Sequence, residues 1–264
     1  MATTSPESPT QRNRVSERLA AIAPSATMAV DGRAKELKAA GEDVISYGAG
    51  EPDFPTPDHV LEAAHRAVDD PVNHRYSANV GLIDLREAVV ESTRKFSGVE
   101  LTPEQILITN GAKQSVFQAL SALAGPSDEV LIPSPYWVTY PEAVALTGAT
   151  PVNVPTVASQ GYKVTPDLLD EFTTNRTKVL LFVSPSNPTG AVYSSAETKA
   201  IRGWAGDRGV WVITDEIYQH LVYGDAQFTS IVESELEDRW IIINGVSKSH
   251  AMTGWRVGWM AGPT

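Results

Sequence analysis

Lys248 follows the apolar run Ile241-Ile242-Ile243-Asn244 and stands just ahead of Met252-Thr253-Gly254-Trp255-Arg256. A lysine amine confined among apolar groups holds its proton less tightly and becomes a nucleophile towards an aldehyde. Arg256, eight residues on, carries a planar fork that could clamp a phosphate, although a lone lysine in a loop is otherwise a solvated charge. Asp215 ends another apolar run, Val210-Trp211-Val212-Ile213, in the segment Asp215-Glu216-Ile217-Tyr218. A carboxylate at the mouth of a buried strand is neutralised by desolvation unless a cation or several donors face it. A protonated pyridine nitrogen would serve, and so would a structural arginine.

Two loops add binding groups. In Thr109-Asn110-Gly111-Ala112-Lys113, between a strand and a helix, small residues let the backbone approach a ligand. The helix N-terminus there offers free N–H groups and a positive dipole end, which suit a phosphate; a tight connection would use the glycine equally. Ser184-Pro185-Ser186-Asn187-Pro188-Thr189-Gly190 follows a strand, where open α/β sheets place their ligands. Its prolines stiffen the loop around Asn187, either as a positioned donor or only as a rigid turn.

These loops need a scaffold, and the pattern supplies one. From Pro57 onward, short apolar runs alternate with helix-period segments, as in a mostly parallel sheet covered by helices. Seven strands are expected, at Gln105–Thr109, Glu129–Pro133, Thr150–Pro155, Lys178–Ser184, Trp211–Asp215, Trp240–Asn244 and Val257–Ala261. A helix over Lys113–Ala124 would turn Val116, Phe117, Leu120 and Leu123 to the sheet. Another begins near Ser194, where Ser194-Ser195-Ala196-Glu197 has the form of a capping box. Upstream, helical stretches are expected at Val15–Ala23, Ala29–Ala40, Pro57–Val68 and Leu82–Phe96, and residues 1–14, rich in Ser, Thr and Pro, read as a disordered tail.

With 264 residues the chain can bury a substantial core. Its net charge of −11 opposes nonspecific nucleic-acid binding. It has no cysteine, which removes disulfides, thiolate metal sites and a cysteine nucleophile. Its five histidines show no ligand spacing, so no metal is expected. No apolar run approaches the roughly 20 residues that span a bilayer, and the N-terminus lacks a secretory core. A soluble, cytoplasmic protein with no membrane or nucleic-acid partner is expected.

Taken together the motifs resemble those of the class I aminotransferases of the aspartate aminotransferase type. The matching segments are Ala49-Gly50-Glu51-Pro52-Asp53-Phe54, Asn110-Gly111-Ala112-Lys113-Gln114, Pro135-Tyr136-Trp137, Ser186-Asn187-Pro188-Thr189-Gly190, Asp215-Glu216-Ile217-Tyr218 and Ser247-Lys248 through Arg256, in the family's order. The resemblance implies an α/β fold with a seven-stranded sheet sandwiched by helices, a pyridoxal 5'-phosphate cofactor and a homodimer. It implies that Lys248 forms the aldimine and moves the substrate α-proton, that Asp215 pairs with the pyridinium nitrogen, and that Asn187 and Tyr218 hydrogen-bond the cofactor's phenolic oxygen. Trp137 would stack on the ring. Arg256, Ser247 and the Gly111-Ala112-Lys113 backbone would hold the phosphate, with Tyr76 reaching the phosphate of the neighbouring subunit. Gly50 would present its backbone to the substrate carboxylate, alongside Trp137 and Asn187, and Lys113 would meet the distal carboxylate of an acidic amino acid.

The expected reaction is transfer of an amino group from aspartate to 2-oxoglutarate, an amino acid and a 2-oxo acid being the partners. Alternatives are another aminotransferase, including one acting on prephenate, a carbon–sulfur lyase, or a noncatalytic binding or regulatory protein. Relatives that accept prephenate carry a lysine directly before Pro-Ser-Ala-Thr, where this chain has Ala23. Gly245 replaces a phosphate-binding serine found in relatives. The resemblance divides the chain into the tail, an arm with part of a small domain over residues 15–56, and a large cofactor-binding domain over 57–264. It also implies that the family's C-terminal small-domain segment, with the arginine for the substrate α-carboxylate, lies beyond Thr264, so that these residues alone bind cofactor with little turnover.

Overall fold

A computed structural model describes residues 15–232 and 236–264; the tail expected over residues 1–14 lies outside the described residues. The seven strands are β1 Ile106–Thr109, β2 Glu129–Ser134, β3 Thr150–Pro155, β4 Thr177–Val183, β5 Trp211–Asp215, β6 Trp240–Gly245 and β7 Gly258–Ala261. They form one sheet in the order β1-β7-β6-β5-β4-β2-β3. Strands β2 to β6 pair in parallel, whereas β7 runs antiparallel to both its neighbours. It follows that β1 and β6 point the same way and end at one edge.

The helices are α1 Glu17–Ala20, α2 Ala26–Ala39, α3 Asp58–Asp69, α4 Ile83–Ser97, α5 Ala112–Leu123, α6 Thr139–Thr147, α7 Pro166–Phe172 and α8 Ser195–Arg208. Alternation along β4 shows how they cover the sheet. Val179 and Leu181 pack with Val116 and Leu120 of α5 and Tyr140 and Val144 of α6. Leu180 and Phe182 face the opposite way, onto Leu169 of α7 and Ile201, Trp204 and Ala205 of α8. A strand buried on both faces needs a continuous apolar run, which is why β4 reads as one. Each fully buried leucine or phenylalanine contributes roughly 1.5–3 kcal/mol, more than the propensity differences that separate strand from helix.

Local signals act as expected at α8, where Ser194 Oγ accepts from the Glu197 N–H at 3.3 Å and the Glu197 carboxylate accepts from the Ser194 N–H at 2.7 Å. Three expectations need correction. The helix over Val15–Ala23 is only the single turn α1, because Pro24 disfavours helical backbone at the residue before it. Phe117 does not pack on the sheet but is 43% exposed, and Leu123 is only partly covered. Ala119 takes that inward place, since α5 lies close over the strands. Helices α6 and α7, of nine and seven residues, were not anticipated.

Residues 41–57 form a strap tied to the segment that follows β6. Thr56 Oγ1 donates to the Ala251 carbonyl at 2.8 Å and accepts from Trp255 Nε1 at 3.0 Å, while Thr253 Oγ1 donates to Glu51 at 3.1 Å. The strap thereby lies over the turn that carries Lys248. Among the described residues no helix is long and apolar enough to cross a membrane.

Candidate active site

A cleft of about 780 Å³ opens where β4, β5 and β6 end. The loop after β4 delivers Asn187, β5 and its following turn deliver Asp215 and Tyr218, and the turn after β6 delivers Ser247 and Lys248. Trp137, beyond β2, forms a wall, and α5 contributes Ala112 and Lys113 from its first turn. Arg256 and, from the strap, Gly50 also line it. Parallel strands send all their C-terminal loops to one side, so residues far apart in sequence converge. Tyr76 stands apart, fully exposed and outside the cleft.

Gly111 lies beneath Arg256. Its φ is +83°, and a Cβ there would fall 2.2 Å from Arg256 Nη2, so only glycine permits this turn with the guanidinium over the start of α5. Arg256 itself adopts a left-handed φ of +57° and is held by Nη1 donating to the Thr253 carbonyl at 2.9 Å. The first N–H groups of α5 have no partner within the helix, which leaves an anion-favouring end beside a cation.

Lys248 is half-buried, and its Nζ donates to the Gly50 carbonyl. Burial lowers the lysine's proton affinity below the usual value; Glu51 opposes this and Arg256 adds to it. Asp215 is 3% exposed and accepts from the Tyr140 hydroxyl at 2.8 Å and from the Ile217 N–H at 3.2 Å. Burial pushes its carboxyl up, and those two donors push it back. Among the described residues no lysine or arginine is ion-paired to Asp215, so the structural-arginine alternative is not realised. Tyr218 lies 3.4 Å from Asn187 Nδ2, which donates to its oxygen, and burial raises its phenol above the usual value. Lys113 Nζ sits 5.1 Å from the centre of the Trp137 ring.

Sequence reasoning missed Tyr140, whose only signal was its position three residues after Trp137, just inside the first turn of α6. It also missed Thr27 and Tyr47, which line the cleft from the N-terminal segment.

Residues 42–264 match the model of the family described as aminotransferase class I and II. The chain belongs to that family. This aminotransferase chain is 54% identical over 257 residues to an aspartate aminotransferase of Streptomyces avermitilis, covering 97% of this chain and 63% of the relative. It is 46% identical over 252 residues to an aspartate/prephenate aminotransferase of Cereibacter sphaeroides, covering 94% and 63%. An aspartate aminotransferase of Thermus thermophilus, solved with maleate, matches with a TM-score of 0.90 at 40% identity, over 96% of this chain and 65% of that one. The aminotransferase chain thus spans a little under two thirds of the length of these relatives.

Proposed function

We propose that this aminotransferase chain holds pyridoxal 5'-phosphate covalently on Lys248, and that the whole protein transfers an amino group from aspartate to 2-oxoglutarate. Asp215 carries the reading: a buried carboxylate with no cationic partner among the described residues lines the same cleft as an amine whose proton affinity is lowered. Both departures from ordinary ionisation fit one ligand that presents a cationic ring nitrogen and an aldehyde. The bound cofactor supplies an electron-withdrawing ring that stabilises negative charge developing at the substrate α-carbon.

The chain's own residues do the rest. Asp215 holds the ring nitrogen, and Asn187 with Tyr218 holds the phenolic oxygen. Trp137 covers a ring face. Arg256, Ser247 and the backbone of Gly111, Ala112 and Lys113 hold the phosphate at the α5 N-terminus. Lys248 Nζ, its proton loosened by burial, takes the proton from the substrate α-carbon and returns it. Gly50, whose carbonyl accepts from Lys248, brings the strap against the substrate.

Lys113 beside Trp137 supports a substrate with a distal carboxylate, and the Thermus relative is named with maleate, a dicarboxylate. It favours an acidic substrate over a lyase reaction. The name of the Cereibacter relative supports prephenate as a second substrate. Ala23, the position where prephenate-accepting relatives place a lysine, lines an adjoining cleft together with Lys113 and Arg256. On the same reading residues 15–56 are an arm with part of a smaller domain and 57–264 the large domain. The full exposure of Tyr76 supports its use by a second subunit in a homodimer.

The test is an absorption spectrum of the chain with pyridoxal phosphate, followed by aspartate. A visible band that aspartate removes is expected, and the longer protein should then make glutamate from 2-oxoglutarate. No band would overturn the cofactor assignment; a band untouched by aspartate but removed by another amino acid would overturn the substrate.

A further inference from the structure

Tyr140 stands in the first turn of α6 and is 2% exposed. Its hydroxyl donates to Asp215 Oδ2 at 2.8 Å, and its ring meets Trp137 edge to face with centroids 5.4 Å apart. Among the described residues no other side chain donates a hydrogen bond to Asp215; the carboxylate's second donor is the Ile217 backbone N–H. Packing alone does not call for the hydroxyl here, because phenylalanine fills nearly the same space and leaves no buried polar atom to satisfy. A carboxylate has about four acceptor positions, and these two donors leave the others to the cleft that Asp215 lines.

We propose that Tyr140 is a positioning residue, whose hydroxyl fixes the buried Asp215 carboxylate in its charged form and in one orientation, ready for a cationic N–H group in the cleft. The identity of that cationic group rests on the cofactor reading above; the action of Tyr140 on Asp215 does not. A hydrogen bond to a charged group in a desolvated place is among the stronger ones. The burial that pushes the Asp215 carboxyl up is opposed first by Tyr140, and the same contact raises the Tyr140 phenol well above its ordinary value, behind the larger effect of burial. The groups facing Asp215 are Tyr140, Tyr218 and the adjacent Glu216.

Tyr140→Phe keeps the ring against Trp137 and removes only the donor. In the cofactor-free chain, the carboxyl carbon of Asp215, followed by carbon-13 resonance and assigned by its loss in Asp215→Asn, should titrate at higher pH in Tyr140→Phe than in the unaltered chain. With pyridoxal phosphate, Tyr140→Phe should weaken binding about tenfold, and should weaken it no further in an Asp215→Asn background, because a residue acting only through Asp215 has nothing left to act on. An unchanged Asp215 titration, or a loss of affinity of the same size in both backgrounds, would overturn the proposal. Should Tyr140→Phe not fold, the unaltered chain still decides: the Tyr140 ring carbon bearing oxygen should show a step at the Asp215 midpoint, absent in Asp215→Asn, and its absence from the unaltered chain counts against the proposal. A chain that forms no visible band with pyridoxal phosphate sinks the cofactor reading, while the two cofactor-free titrations still support or overturn the role of Tyr140.

Discussion

At Lys248 and Asp215, burial moves two ordinary ionisations in opposite directions, making the ammonium easier and the carboxyl harder to deprotonate. Charge is therefore costly on either unless a ligand compensates it. In the proposed reading Lys248→Ala removes the visible band with pyridoxal phosphate altogether. In the full-length protein it lowers turnover by about 10²–10⁴-fold, the usual contribution of a positioned acid–base group; a band or near-normal turnover in that variant would place the covalent attachment elsewhere. Most of the residues lining the cleft were legible because each ends an apolar run or sits in a short motif. Tyr140 was not. Its hydrogen bond to Asp215 joins positions 75 residues apart, and that approach exists only once α6 has packed on β2 and β3.

Among the elements, β7 and the start of α5 approach each other tightly at the site. A Cβ on Gly258 would stand 2.5 Å from the Ala112 nitrogen and 2.6 Å from the Gly111 carbonyl carbon, both backbone atoms that cannot swing aside. Gly258→Ala is expected to cost about 1–3 kcal/mol of stability, as overpacking does, and to weaken pyridoxal phosphate binding by displacing the turn under Arg256. Ser194→Ala serves as the contrast. It removes the cap of α8, should cost about 1 kcal/mol, and should leave cofactor affinity unchanged, since α8 packs on the face of the sheet opposite α5. Urea unfolding beside cofactor titration separates the two; equal affinities in both variants would show that the Gly258 contact does not set the turn. The inner strands β2, β4, β5 and β6 were readable because burial on both faces demands largely apolar runs. The antiparallel direction of β7 was not, because direction depends on which edge the chain crosses rather than on composition. The short helices α6 and α7 have too few turns to display a period.

For the molecule as a whole, Glu216 ties stability to pH. It follows Asp215 directly, accepts from Ser230 Oγ at 2.7 Å and Thr214 Oγ1 at 3.3 Å, and has one carboxyl oxygen with no partner among the described residues. Burial raises its pKa from 4.5 to about 7. Because the folded chain holds this proton more tightly than the unfolded one, the contribution is fully present below about pH 4.5 and is lost as pH rises through about 7. Between those limits the unaltered chain should lose on the order of 3 kcal/mol more stability than Glu216→Gln; parallel slopes in the two chains would refute this. The sheet's strand order also bears on synthesis. As a nascent chain leaves the ribosome, β2 to β6 can pair with one another, but among the described residues β7 is the one strand of the sheet beside β1, so Ile106 must wait for Ala261. Until then the Gly111 turn hangs free of Lys248. A ligand gripped by both cannot assist any earlier folding step, and the newborn chain must reach β7 unaided or in the keeping of a chaperone.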